Sequence, residues 1–257
     1  IYINQVFDAY SKIMVPSSPI FKEGLVALDI IIRSLNKTGT ELLIKANEIV
    51  LAGLSSGIPS IVTNSAFVRA SIYNKYISNR LPGYEELLEK FESDYEMIVE
   101  GCLYNDKFTR DYYPILLKAV SLIIKACSDN IREKIPGIID RFITLYEHFA
   151  EMPICVESDE DLNEIEYANI FYDAMFTFAK SIMMCVTEES GLRLNRKFMR
   201  LIMTTIPESY FKNLEFHFSS NSLISFYEFL KQFINIFRDR GNVIVNITKK
   251  NWDKIIT

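Results

Sequence analysis

The sequence predicts an all-α chain, wound as a right-handed α-α superhelix of helical hairpins. Apolar residues recur at three- and four-residue steps, the stretches that do so come in pairs parted by short polar breaks, and the pairs recur every 40 to 50 residues or so. The chain is 49% hydrophobic with only nine Gly and eight Pro, a composition that excludes disorder. At 257 residues it exceeds the usual size of a single core. A solenoid accommodates that length, because each unit buries its apolar face against its neighbours.

The first pair is expected at about 19 to 35 and 40 to 56, parted by "NKTGT"; the second at about 59 to 79 and 84 to 104, parted by "NRLPG". In "DYYPILLKAVSLIIKACS" the residues Tyr113, Leu116, Leu117, Val120, Ile123, Ile124 and Cys127 share one helical face, and Pro114 suits a first turn, where a missing N–H costs nothing. Its partner, "NIREKIPGIIDRFITLYEHF", carries a stripe of Ile131, Ile135, Ile138, Phe142, Tyr146 and Phe149, with Asp129 placed to cap it and Pro136 and Gly137 placed to bend its middle. A fourth pair is expected at about 162 to 186 and 191 to 205, parted by "TEESG". The apolar helix "SLISFYEFLKQFINIFRDRG" ends at Gly241. In "NVIVNITKKNW" Val243, Val245 and Ile247 alternate as in a strand, but helix is preferred because nothing else in the chain offers a strand partner. The chain thus divides into one solenoid segment with repeats at about 19–56, 59–104, 110–150, 162–205 and 208–257, a period that suits HEAT or armadillo-like helical pairs.

Charge and cysteine usage narrow the function classes. A net charge of −5 and a pI near 5.3 argue against general affinity for nucleic acid or anionic membrane. Cys102, Cys127, Cys155 and Cys185 form no CxxC and have no nearby His to complete a zinc set, so they read as reduced, packed thiols of an intracellular protein. No stretch approaches the roughly 18 uninterrupted apolar residues of a membrane span. The chain starts at Ile1 and is expected to be a section of a longer soluble protein.

The stretch "ESDEDLNEIE" holds six carboxylates and no cation. Asp159, Asp161 and Asn163 match the first EF-hand ligands, but Glu164 stands where Gly is needed and Ile170 where the bidentate Glu belongs, so that loop is excluded. Glu160, Asp161 and Glu164 could share Mg²⁺ as in an all-helical synthase, whose second motif would be Asn221, Ser225 and a third ligand at Phe229; Glu228 is one position short, and points about 100° away. The remaining alternatives are a solvated interhelix loop or a patch in which Glu157, Asp159, Glu160, Asp161 and Glu164 receive a basic partner segment.

Arg193, Arg196, Lys197 and Arg200 in "LRLNRKFMR" form a basic stripe, which fits compensation by Glu188, Glu189 or the acidic stretch better than a phosphate or acidic-partner site. His148 and His217 adjoin no nucleophile, and no P-loop, GxGxxG, GxSxG or HExxH occurs. No residue is assigned a catalytic, cofactor-binding or metal-ligating role. The abundant Phe and Tyr are placed in the core by default.

The stretch "DYYPILLKAVSLIIKACSDNIREKIPGIIDRFITLYEHF", followed by an acidic linker and "IEYANIFYDAMFTFAKSIM", resembles successive HEAT repeats of the β-karyopherins, the importin-β-like nuclear transport receptors. The similarity is best over about residues 110 to 186 and looser over "FKEGLVALDIIIRSLNKTGTELLIKANEIVLAGL". It implies a non-enzymatic scaffold that binds basic cargo or an adaptor on an acidic surface, phenylalanine-rich nucleoporin repeats between helices, and a small GTPase, though no amino-terminal GTPase-binding region is recognisable. HEAT scaffolds of chromosome or vesicle-coat machinery share the same cadence, and the Mg²⁺-dependent helical synthase is the enzyme alternative.

Overall fold

The computed structural model describes residues 2–35, 40–90, 93, 95, 108–149, 162–187, 190, 193–213 and 219–237. All regular structure among them is helical. In chain order the helices are α1 (Tyr2–Ile13), α2 (Phe21–Ser34), α3 (Thr40–Leu54), α4 (Pro59–Ser78), α5 (Tyr84–Glu89), α6 (Tyr112–Cys127), α7 (Ile135–Phe149), α8 (Leu162–Cys185), α9 (Arg196–Arg200), α10 (Ile206–Lys212) and α11 (Ser220–Ile236). The expected stretches 91–92, 94, 96–107 and 238–257, including "NVIVNITKKNW", lie outside the described residues.

The helix starts follow local chemistry. Pro59 opens α4 and Pro114 sits in the first turn of α6, both where a backbone donor has no helical acceptor. Asn195 caps α9, its side-chain oxygen accepting from the Lys197 N–H at 2.9 Å. The second helix of the third pair differs from expectation. A 3-10 turn, Arg132–Lys134, precedes α7, which begins only at Ile135. Pro136 and Gly137 therefore stand in a first turn, where a missing N–H breaks no bond, and they bend nothing. Asp129 does not cap: the capping position is Ile131 without a side-chain bond, and Asp129 faces Arg132 at 3.6 Å.

Between α9 and α10 the chain stays helical through a π turn, Leu201–Thr205, in which the Ile206 N–H donates to the carbonyl of Leu201 five residues back. Pro207 explains the wide turn. Its ring would clash with the carbonyl of Met203 and it offers that carbonyl no donor, and the extra residue per turn relieves both.

The order in which helices pack shows two layers. In one, α2, α4, α6, α8 and α11 lie side by side, each packed on the next. In the other, α3 lies beside α1, with Lys45 paired to Asp8 at 2.5 Å, and α9 beside α7, where Asn195 donates to Asp140 at 3.0 Å. The helices of the first layer run parallel. Ser71 of α4 donates to Asp29 of α2 at 2.5 Å, and further along both chains Lys75 donates to the Leu35 carbonyl at 2.7 Å. Arg110 meets Glu164 beside the start of α6 and α8, and Lys118 meets Asp173 at 2.5 Å further on. Ser225 of α11 donates to Asp173 at 2.5 Å, and Lys180 pairs with Glu228. Both indices climb together from α2 to α4, from α6 to α8 and from α8 to α11, so the helices of each of these pairs run parallel.

The apolar stripes face between the layers. Every residue of the α6 stripe is buried, as are Ile131, Ile135, Ile138, Phe142 and Phe149 of the next; Tyr146 is half-buried. Ring contacts join the layers: Phe178 of α8 stacks on Phe142 of α7 at 4.6 Å and meets Phe198 of α9 edge-on at 6.4 Å. Two glycines mark close helix approaches. A Cβ at Gly53 would lie 2.0 Å from Ser65 Oγ of α4, and one at Gly24 would lie 2.2 Å from Met14 Sδ.

Candidate functional site

Burying one face of each row helix leaves the opposite faces aligned as a single surface. Its central line is formed by Asp29, Ser71, Lys118, Asp173 and Ser225, one residue from each row helix. Bonds join the first two, and Lys118 through Asp173 to Ser225. Opposite charges and hydroxyls alternate along this line and satisfy one another.

One or two turns further toward the helix C-termini the balance changes. Arg33, Lys75 and Lys125 stand in the last turn of their row helices, where a cation complements the helix dipole, and Lys180 and Lys231 stand in the C-terminal half of theirs. Arg33, Lys75 and Lys125 line one open groove of about 540 Å³ across α2, α4 and α6, together with Ser71, Asn74 and Leu122. Lys125 also acts with the remaining two, Lys180 and Lys231, on Glu228. The Lys180 ammonium bonded to Glu228 holds its carboxyl below the usual carboxylate range, with the charges of Lys125 and Lys231 adding to the effect. Five cations thus cross the row as a rail. The carboxylates against them are Asp29, 2.7 Å from Arg33, and Glu228. Lys125 and Lys231 are exposed and form no ion pair among the described residues. Exposed apolar side chains, Val26 and Ile30 on α2, Leu122 on α6 and Ile234 on α11, are interspersed on the row helices.

The residues singled out from sequence are distributed otherwise. Glu157, Asp159, Glu160 and Asp161 lie outside the described residues, as do Glu188, Glu189, His217, Cys102 and Cys155. Glu164 is half-buried and paired with Arg110, whose guanidinium also lies 4.6 Å over the Tyr167 ring. In the basic stripe Lys197 pairs with Glu147 of α7, and Arg193, Arg196 and Arg200 are exposed. The compensating carboxylate thus comes from the previous hairpin. His148 is exposed, its ring edge-on to Phe149 at 4.8 Å.

Of the residues weighed for a second metal motif, Ser225 is held by Asp173, Glu228 by Lys180, and Phe229 is fully buried. No cluster of three His, Cys, Asp or Glu among the described residues is grouped to hold a metal ion. No helix among them is long and apolar enough to cross a membrane. Cys127 and Cys185 are free, buried thiols. Burial pushes the Cys185 thiol up to about 12 and that of Cys127 higher still, so neither is a nucleophile near neutral pH.

The rail escapes a reading by local motif because its members are roughly 40 to 55 residues apart. Each is a lone cation in an apolar setting: "IIRSL", "YNKYI", "IIKAC", "FAKSI" and "FLKQF". The signal is the recurrence of that setting in the C-terminal half of each row helix. The chain matches no family model, no curated protein and no solved structure.

Proposed function

We propose that this chain is a non-enzymatic HEAT-like scaffold, coiled as a right-handed superhelix, that binds partner proteins on the exposed face of its helix row. The supporting observation is the register of interhelix pairs. Asp29 with Ser71, Lys118 with Asp173 and Asp173 with Ser225 join equivalent positions of successive parallel helices, as stacking of helical hairpins requires. Such a surface has no reaction centre and works by differential binding.

The narrower reading is a section of a nuclear transport receptor that handles cargo, phenylalanine-rich nucleoporin repeats or a small GTPase in cytoplasm and nucleus. It rests on the resemblance of residues 110 to 186 to β-karyopherin repeats. A basic cargo segment would be met by the carboxylates at 157 to 161, whereas the row face presents the opposite charge.

Small-angle scattering tests the architecture. A compact globule of this length has a radius of gyration near ~18 Å. The scaffold is expected to exceed it, and a compact envelope sinks the reading. The transport assignment is tested by retention of the chain on nucleoporin repeats and on GTP-loaded small GTPase. Retention by neither, with an elongated envelope, leaves a scaffold of another assembly.

A further inference from the structure

We propose that the cationic rail binds an acidic, extended segment of a partner protein laid across the helix row, an assignment that rests on the scaffold reading above. Three features favour this occupant. Arg33, Lys75, Lys125, Lys180 and Lys231 outnumber the two carboxylates paired with them among the described residues, so the rail keeps a positive field in a chain whose net charge is −5. Among the described residues Lys125 and Lys231 have no ion pair to surrender on binding, and Arg33, with 64% of its side chain exposed, is held by a surface pair with Asp29, which is worth little.

Spacing supplies the third. Packed helices lie roughly 8–10 Å apart, so one cation arises about every 10 Å across the row. An extended peptide advances about 3.3 Å per residue, so a carboxylate at every third residue keeps step with the cations. Five helices are crossed in about 40 Å, the reach of about twelve residues. Leu122, on the groove floor between Arg33, Lys75 and Lys125, offers apolar contact to an intervening side chain. Ser71 and Asn74 offer hydrogen bonds to its backbone. A nucleic acid strand fits less well, since no described aromatic side chain lines the groove for base stacking.

The test is fluorescence anisotropy with a labelled peptide of about twelve residues carrying Glu at every third position and Gly or Ser between. Binding is expected, weakening at least tenfold between about 50 and 200 mM salt. The same peptide with Gln for Glu is expected not to bind. The double substitution Lys125→Glu with Lys231→Glu, at exposed positions, is expected to weaken binding at least tenfold with the circular dichroism spectrum unchanged. Binding that is absent, that survives Gln for Glu, or that survives the double substitution overturns the assignment. So does an oligouridine of equal charge that binds as tightly as the peptide. Scattering on the same sample separates the two levels: an elongated chain that ignores the peptide refutes the acidic partner alone, and a compact one refutes the scaffold.

Discussion

Replacing Phe176 by Ala should loosen one end of the helix row and leave the other intact. The ring is 1% exposed on α8 and is surrounded by Tyr210 at 5.4 Å, Phe226 at 5.0 Å, and Tyr172 and Phe229 at 6.4 Å. Removing it deletes roughly 150 Å² of buried apolar surface, worth about 4 kcal/mol at about 25 cal/mol/Å². Phe-to-Ala substitutions in cores cost about 3–5 kcal/mol, which agrees. A loss of about 4 kcal/mol raises the local opening equilibrium by roughly a thousandfold. Three of the four surrounding rings lie on α10 and α11, and α8 meets α6 on its other side. Hydrogen exchange followed by mass spectrometry should therefore show amide protection collapsing in α10 and α11, and persisting in α2 and α4, which pack on each other. Equal loss of protection from α2 to α11 would refute the nearest-neighbour account, because it would show one cooperative core.

Gly53→Ala should destabilise by about 1–3 kcal/mol in urea unfolding, since the new Cβ falls 2.0 Å from Ser65 Oγ, a clash that outweighs the gain of about 1 kcal/mol in helix propensity. Ser65 is fully buried and its Oγ has no hydrogen-bond partner among the described residues, so adding Ser65→Ala should recover most of the loss; strict additivity of the two changes would show that they do not touch. Stability should also fall at high pH. Burial raises the Cys185 thiol from its ordinary 9.0 to about 12, and raises the Tyr167 phenol from 10.0 to about 12 against the opposing charge of Arg110. Groups with raised folded values contribute fully below their unfolded pKa, and that contribution is lost as pH rises from about 9 toward about 12. A denaturation midpoint that stays flat between about pH 9 and 11 would contradict this.

The stripes of α6 and α7 could be read directly, since three- and four-residue spacing of Ile, Leu and Phe leaves a helix no other way to bury them. Pro136 shows where local reading falls short. A proline weakens a helix interior but fits a first turn, and whether residue 135 begins the helix depends on the 3-10 turn before it. The π turn is a similar case: a proline at 207 disfavours helix in the residues before it, but burial of Leu201, Ile202, Met203, Ile206 and Phe211 holds the chain helical across it. The basic stripe was visible in sequence, whereas its partner Glu147 was not, because helix spacing says nothing of which neighbouring helix is met.

The amino-acid sequence by itself determined that the chain is helical and which faces are apolar. These are properties of residues within one or two turns of each other, set by backbone geometry and burial. Tertiary structure decided that alternate helices run parallel in one row, that Lys118, Asp173 and Ser225 form one chain of polar contacts, and that five isolated cations become a rail. Those juxtapositions join residues about 50 positions apart, and only the packing of whole helices brings them together.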